Sequence, residues 1–87
     1  MMDLVATEFK NTVEGTSTFG FRLYDSYGKT YGNGSSVPIE GDLALLEYAL
    51  TDMDEETKLA FDNIKEMQNG LNINGTWYDW DEIKDCF

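Results

Sequence analysis

Carboxylates are the residues of this chain with the most scope for chemistry. Two segments echo one another, Asp52-Met53-Asp54-Glu55 and Asp79-Trp80-Asp81-Glu82, and each sets Asp-x-Asp-Glu at a predicted helix start. Oxygen donors so spaced suit a hard cation such as Ca²⁺ or Mg²⁺. An EF-hand loop, however, needs glycine at its sixth position and glutamate at its twelfth, and neither segment has that glycine. Helix capping by aspartate, with the remaining acids complementing the helix dipole, explains both segments without a ligand. A divalent-cation module is therefore the weaker reading, and neither metal nor other cofactor is expected.

Catalysis has little to work with. The chain contains no histidine, which removes the most frequent general base and transition-metal ligand. Its single cysteine, Cys86, has no histidine to activate it. A glycosidase needs only two carboxyl groups, but tuning their acidity takes burial or close like-charge pairing. So short a chain has little room for the cleft that would supply either. Gly28-Lys29-Thr30 lacks the upstream glycine and the following helix of a phosphate-binding loop. No catalytic residues are expected, and the protein is read as a non-enzyme.

The element that organises the rest is the stretch Asp52–Gly70. At 3.6 residues per turn it predicts a helix over 53–68 with Met53, Thr57, Ala60, Phe61, Ile64 and Met67 on an apolar side. Glu55, Asp62 and Glu66 fall on the opposite side, with Leu59 among them. Thr51 or Asp52 is its expected cap, and Asn69-Gly70 its stop, with glycine in the left-handed position. A shorter helix, Leu43–Leu50, is capped by Asp42 and turns Leu43, Leu45, Leu46, Ala49 and Leu50 inward, leaving Tyr48 outside.

Upstream, residues 3–13 read as a strand with poor alternation, followed by a turn at Glu14-Gly15. Alternation is clean from Thr16: Phe19, Phe21 and Leu23 share one face, Gly20, Arg22 and Tyr24 the other. Asp25-Ser26-Tyr27-Gly28 closes a hairpin onto a third strand, Lys29–Asn33, and residues 32–36 form a flexible connection. Downstream, Asn74-Gly75 signals a type I′ hairpin between Leu71–Ile73 and Thr76–Tyr78. Asp79 and Glu82 form a capping box opening a short C-terminal helix through Asp85. The expected fold is one α+β domain spanning 1–87. It combines a small antiparallel sheet, from an N-terminal three-stranded meander and a C-terminal hairpin, with two main helices on one face. Whether the second hairpin joins the first sheet stays open.

Charge points to the function class. Seventeen acids oppose six bases, for a net −11. Residues 1–39 hold four acids against three bases, a net −1, while residues 40–87 hold thirteen against three, a net −10. Solubility needs far less. Phosphate backbones and anionic membranes would both repel such a surface, so neither nucleic acid nor membrane is an expected partner. The N-terminal stretch has no basic, apolar leader, and one cysteine forms no internal disulfide, so a cytoplasmic location is expected.

In size, charge and lack of catalytic signature the chain resembles the small acidic inhibitors that phages and mobile elements encode, among them anti-restriction and anti-CRISPR proteins. The resemblance rests on no motif and implies nothing about fold. It implies a DNA-mimic-like role, an acidic protein blocking a basic, nucleic-acid-binding partner. The residues expected to meet that partner are Glu55, Leu59, Asp62, Glu66, Trp80, Asp81, Glu82 and Asp85, because apolar anchors within a charged rim are the usual anatomy of an interface. Tyr48, Trp77 and Trp80 are further aromatic anchors for that patch. The competing reading is a self-associating adaptor, a homo-oligomer in which aromatic groups, Trp77 and Trp80 among them, form the contact and the charge is only solvation.

Overall fold

The computed structural model describes residues 2–10 and 17–87. The turn expected at Glu14-Gly15, and Val13 before it, lie outside them. The elements run β1 (Asp3–Lys10), β2 (Ser17–Tyr24), β3 (Thr30–Ser35), α1 (Asp42–Thr51), α2 (Glu55–Met67), β4 (Gly70–Ile73) and β5 (Thr76–Asp79), and a single 3₁₀ turn follows at Lys84–Cys86.

The five strands form one sheet in the order β3-β2-β1-β4-β5. The fold is α+β, as expected, but the sheet is mixed rather than antiparallel. β1 pairs antiparallel with β2 along its whole length, from Asp3↔Tyr24 to Lys10↔Ser17. On its other edge it pairs parallel with β4, through Asp3↔Asn72 and Leu4↔Ile73. The C-terminal hairpin thus joins the meander at β1. Parallel strands need a long crossover, and α1 with α2 completes it by carrying the chain from the β3 edge to the far side of β1.

Alternation decides which side of the sheet is covered. Leu4, Leu23 and Ile73 are register partners and share a face, and with Phe21 and Leu71 they are buried. They form one core with Leu45, Leu46 and Ala49 of α1, Ala60, Phe61 and Ile64 of α2, and Ile83. Each such large side chain contributes about 1.5–3 kcal/mol by leaving water. Val5 and Phe9 alternate onto the opposite face, where the Arg22 guanidinium lies 4.7 Å from the Phe9 ring centre.

Several local expectations are corrected. β3 extends to Ser35 and pairs with β2 across the stretch read as a flexible connection. Gly70 does not end α2 in a left-handed conformation. The helix is followed by Gln68 in extended backbone, and Gly70 opens β4, where a methyl group would stand 2.2 Å from the Tyr78 carbonyl oxygen. Close strand approach, not turn formation, requires that glycine. Asp42 is not the cap of α1, which Gly41 occupies without a side-chain bond. Its carboxylate instead accepts hydrogen bonds from Tyr78 Oη at 2.7 Å and Asn74 Nδ2 at 2.8 Å, tying helix to hairpin. That bond, reinforced by burial, raises the Tyr78 pKa above its ordinary value.

The cap of α2 is Asp54 rather than Thr51 or Asp52, because α1 runs through Thr51 and Asp52 ends it. Met67, expected in the core, is exposed, and so is Leu43. Tyr48, expected outside, packs edge-on against Phe21 with ring centres 5.8 Å apart. The Asn74-Gly75 turn forms as expected, with both residues at positive φ. The capping box does not form. Asp79 ends β5 and its carboxylate accepts from Trp77 Nε1 at 3.1 Å, so the C-terminal helix shrinks to the 3₁₀ turn.

Candidate interaction surface

Helix α2 is divided lengthwise into four strips, as its sequence dictates at 3.6 residues per turn. Thr57, Ala60, Phe61 and Ile64 are buried. Opposite them Glu55, Leu59, Asp62 and Glu66 are all exposed and form a ridge. Lys58 and Lys65 lie along one flank of that ridge. Leu59, Asn63 and Met67, one turn apart from each other, lie along the other flank. The cations are thus kept off the side on which Leu59 opens.

The start of α2 is fixed by Asp54, whose Oδ1 accepts from the Thr57 backbone N–H at 2.7 Å. The Thr57 side chain and that backbone bond hold the Asp54 carboxyl below its ordinary pKa. First-turn acids Glu55 and Glu56 complement the helix dipole. Later on the ridge the same sign works against the helix. Asp62 and Glu66 stand four residues apart, a like-charge spacing that costs an isolated helix a few tenths of a kcal/mol, about 0.2–0.5. Among the described residues the one ion pair joins Lys29 to Glu56, so no cation neutralises Glu55, Asp62 or Glu66 directly.

The second half of the expected interface lies elsewhere. Trp80 is half-buried. Its indole N–H donates to the Gln68 carbonyl at 2.7 Å, and its ring packs against Phe61 and Phe87. Phe87 in turn sits beneath Lys65, whose Nζ lies 4.4 Å from the ring centre. Phe87 therefore lies on the lysine flank, while Asp81, Glu82 and Asp85 are exposed, Glu82 near Tyr78 and Asp85 near Cys86. The structure groups Glu55, Leu59, Asp62 and Glu66, and sets Trp80, Asp81, Glu82 and Asp85 apart from them.

The Asp-x-Asp-Glu echoes diverge in the same way: the first caps a helix and the second makes a turn. Among the described residues no three carboxylate or thiol groups cluster to hold a metal ion. Burial chiefly, with Glu47 and Asp85 nearby, raises the Cys86 thiol pKa, which disfavours the nucleophilic thiolate. No helix of the described residues is long and apolar enough to cross a membrane.

The chain matches no protein-family model, no curated protein and no solved structure.

One feature of that surface escapes a reading of the sequence. Between the Leu59–Asn63–Met67 flank of α2 and the β2–β3 turn lies a groove of about 850 Å³. Ala60, Ile64 and Met2 line its base, and Tyr27 and Trp77 its sides. The i, i+4, i+8 spacing of Leu59, Asn63 and Met67 is a local signal for it. The contributions from Tyr27 and Trp77 depend on tertiary structure.

Proposed function

We propose that the protein is a small acidic binding protein that occupies the nucleic-acid site of a basic partner and blocks it. The observation that carries this reading is the ridge of α2. Glu55, Asp62 and Glu66 are exposed around Leu59, without direct cation partners among the described residues, while both lysines of the helix lie on another flank. Repeated negative charge on a rigid element is what a cationic groove built for phosphates attracts. The apolar Leu59 within it supplies a contact that charge alone lacks.

The deciding experiment is displacement. A nucleic-acid-binding partner recovered with the tagged protein is loaded with labelled DNA or RNA and titrated with the protein. Release of the label is expected, together with failure of the E55K/D62K/E66K variant to release it. Simultaneous binding of protein and nucleic acid to that partner would overturn the reading.

A further inference from the structure

We propose that the groove between α2 and the β2–β3 turn receives the apolar side chains of a basic amphipathic segment of the partner, whose lysines or arginines meet the carboxylates around it. This rests on the reading of the protein as a binder of a basic partner, and names where charge gives way to apolar contact.

Four large side chains around the groove are left to solvent: Tyr27 is 94% exposed, Met67 84%, Leu59 64% and Trp77 43%. They come from the β2–β3 turn, α2 and β5, and converge on one depression. Isolated exposed apolar residues are ordinary, but a contiguous apolar patch with a polar rim marks an interaction surface. The groove's volume, about 850 Å³, is ample for more than one side chain, and its open trough suits a segment laid along α2.

Charge selects the occupant. Asp25 and Glu56 line the groove, the ridge carboxylates run beside it, and Lys58 and Lys65 lie away from it. A second copy of this chain would present the same patch in a symmetric contact, bringing together two chains that each carry a net charge of −11. A positively charged segment meets no such penalty. Lys29, already paired with Glu56, shows that a cation is accommodated at the groove's edge.

The test uses the full chain and three synthetic helical peptides followed by NMR. The first carries leucines at i, i+3, i+4 and i+7 with lysines elsewhere. The second replaces leucine by glutamine at the same charge, and the third replaces lysine by glutamate. The leucine–lysine peptide is expected to shift the Leu59 and Met67 methyl groups and the Trp77 indole N–H. It should also bind at least ten-fold more tightly than either control. The double variant Y27S/M67Q, altered at two exposed positions off the ridge, should lose that ten-fold advantage while keeping its native amide spectrum. Equal binding of the leucine and glutamine peptides would overturn the proposal, as would shifts confined to ridge amides. So would an unchanged affinity in Y27S/M67Q, or a dimer that buries the groove in sedimentation experiments. Displacement of nucleic acid that survives Y27S/M67Q but not the ridge reversals would sink the groove alone. Peptide binding without any displacement would sink the blocking function alone.

Discussion

Lys29, in the turn that links β2 to β3, is ion-paired with Glu56 in the first turn of α2. The pair joins a hairpin end to a helix start across the edge of the groove. Both side chains are more than half exposed, so solvent screening leaves the pair little weight in global stability. It links the two walls of the groove.

The Lys29 ammonium consequently titrates above its ordinary pKa, held there first by the hydrogen bond and charge of Glu56 and then by Tyr31. Its stabilising contribution is fully present below the unfolded-state value of 10.5 and is lost as pH rises through the higher folded value. NMR titration of the lysine Nζ resonances should show the elevated midpoint, and E56Q should bring it back toward the ordinary value. An identical midpoint in the two proteins would show that the pair is not formed in solution.

Asp54 gives the opposite pH dependence. Because its folded pKa is depressed, its contribution is fully present above the unfolded value of 3.8 and fades as pH falls through the lower folded value. At pH 7 D54A should lower Tm by about 4–8 °C, the loss of a typical helix cap in a domain of this size. D54N should retain most of the stability, since asparagine caps equally well. The gap between wild type and D54A should narrow in melts run at progressively lower pH below 3.8.

The two tryptophans should separate cleanly under mutation. W80A removes a ring packed against Phe61 and Phe87 and a donor to the Gln68 carbonyl. Chemical denaturation should show a loss of about 2–3 kcal/mol, below the range for a fully buried tryptophan. W77A removes an exposed ring on β5 and should change stability by less than about 1 kcal/mol. It should, however, weaken groove binding of the leucine–lysine peptide. Equal denaturation midpoints for the two variants would contradict the packing described for Trp80.

What was legible in the sequence was mostly local. The alternation of Phe19, Phe21 and Leu23, the Asn74-Gly75 turn and the 3.6-residue spacing of Thr57, Ala60, Phe61 and Ile64 each act within a few residues, and each produces the expected element. Residues 3–10 gave a blurred signal because Leu4 faces the core while Val5 and Phe9 alternate onto the other side of a central strand. The parallel β1–β4 pairing has no local signature: it joins residues nearly a chain length apart. Asp42 and Gly70 depart from expectation for a related reason. Both have the right type for a helix terminus, but tertiary partners, Tyr78 Oη for one and the Tyr78 backbone for the other, claim them first. Met67 sits at the margin of the apolar arc, where periodicity alone does not choose between core and groove wall.

The position of β1 at the centre of the sheet has a kinetic consequence. One of its edges is completed by its sequence neighbour β2, but the other waits for β4, and the Ala6 N–H reaches Asn74 Oδ1 across a separation of 68 residues. Closing so long a loop forfeits chain entropy before any contact returns it. During synthesis the meander can zip up early with the β4-facing edge of β1 bare, the kind of unpaired edge that recruits stray strands. The C-terminal hairpin therefore does more than enlarge the sheet: by pairing with Asp3 and Leu4 it covers the start of that edge.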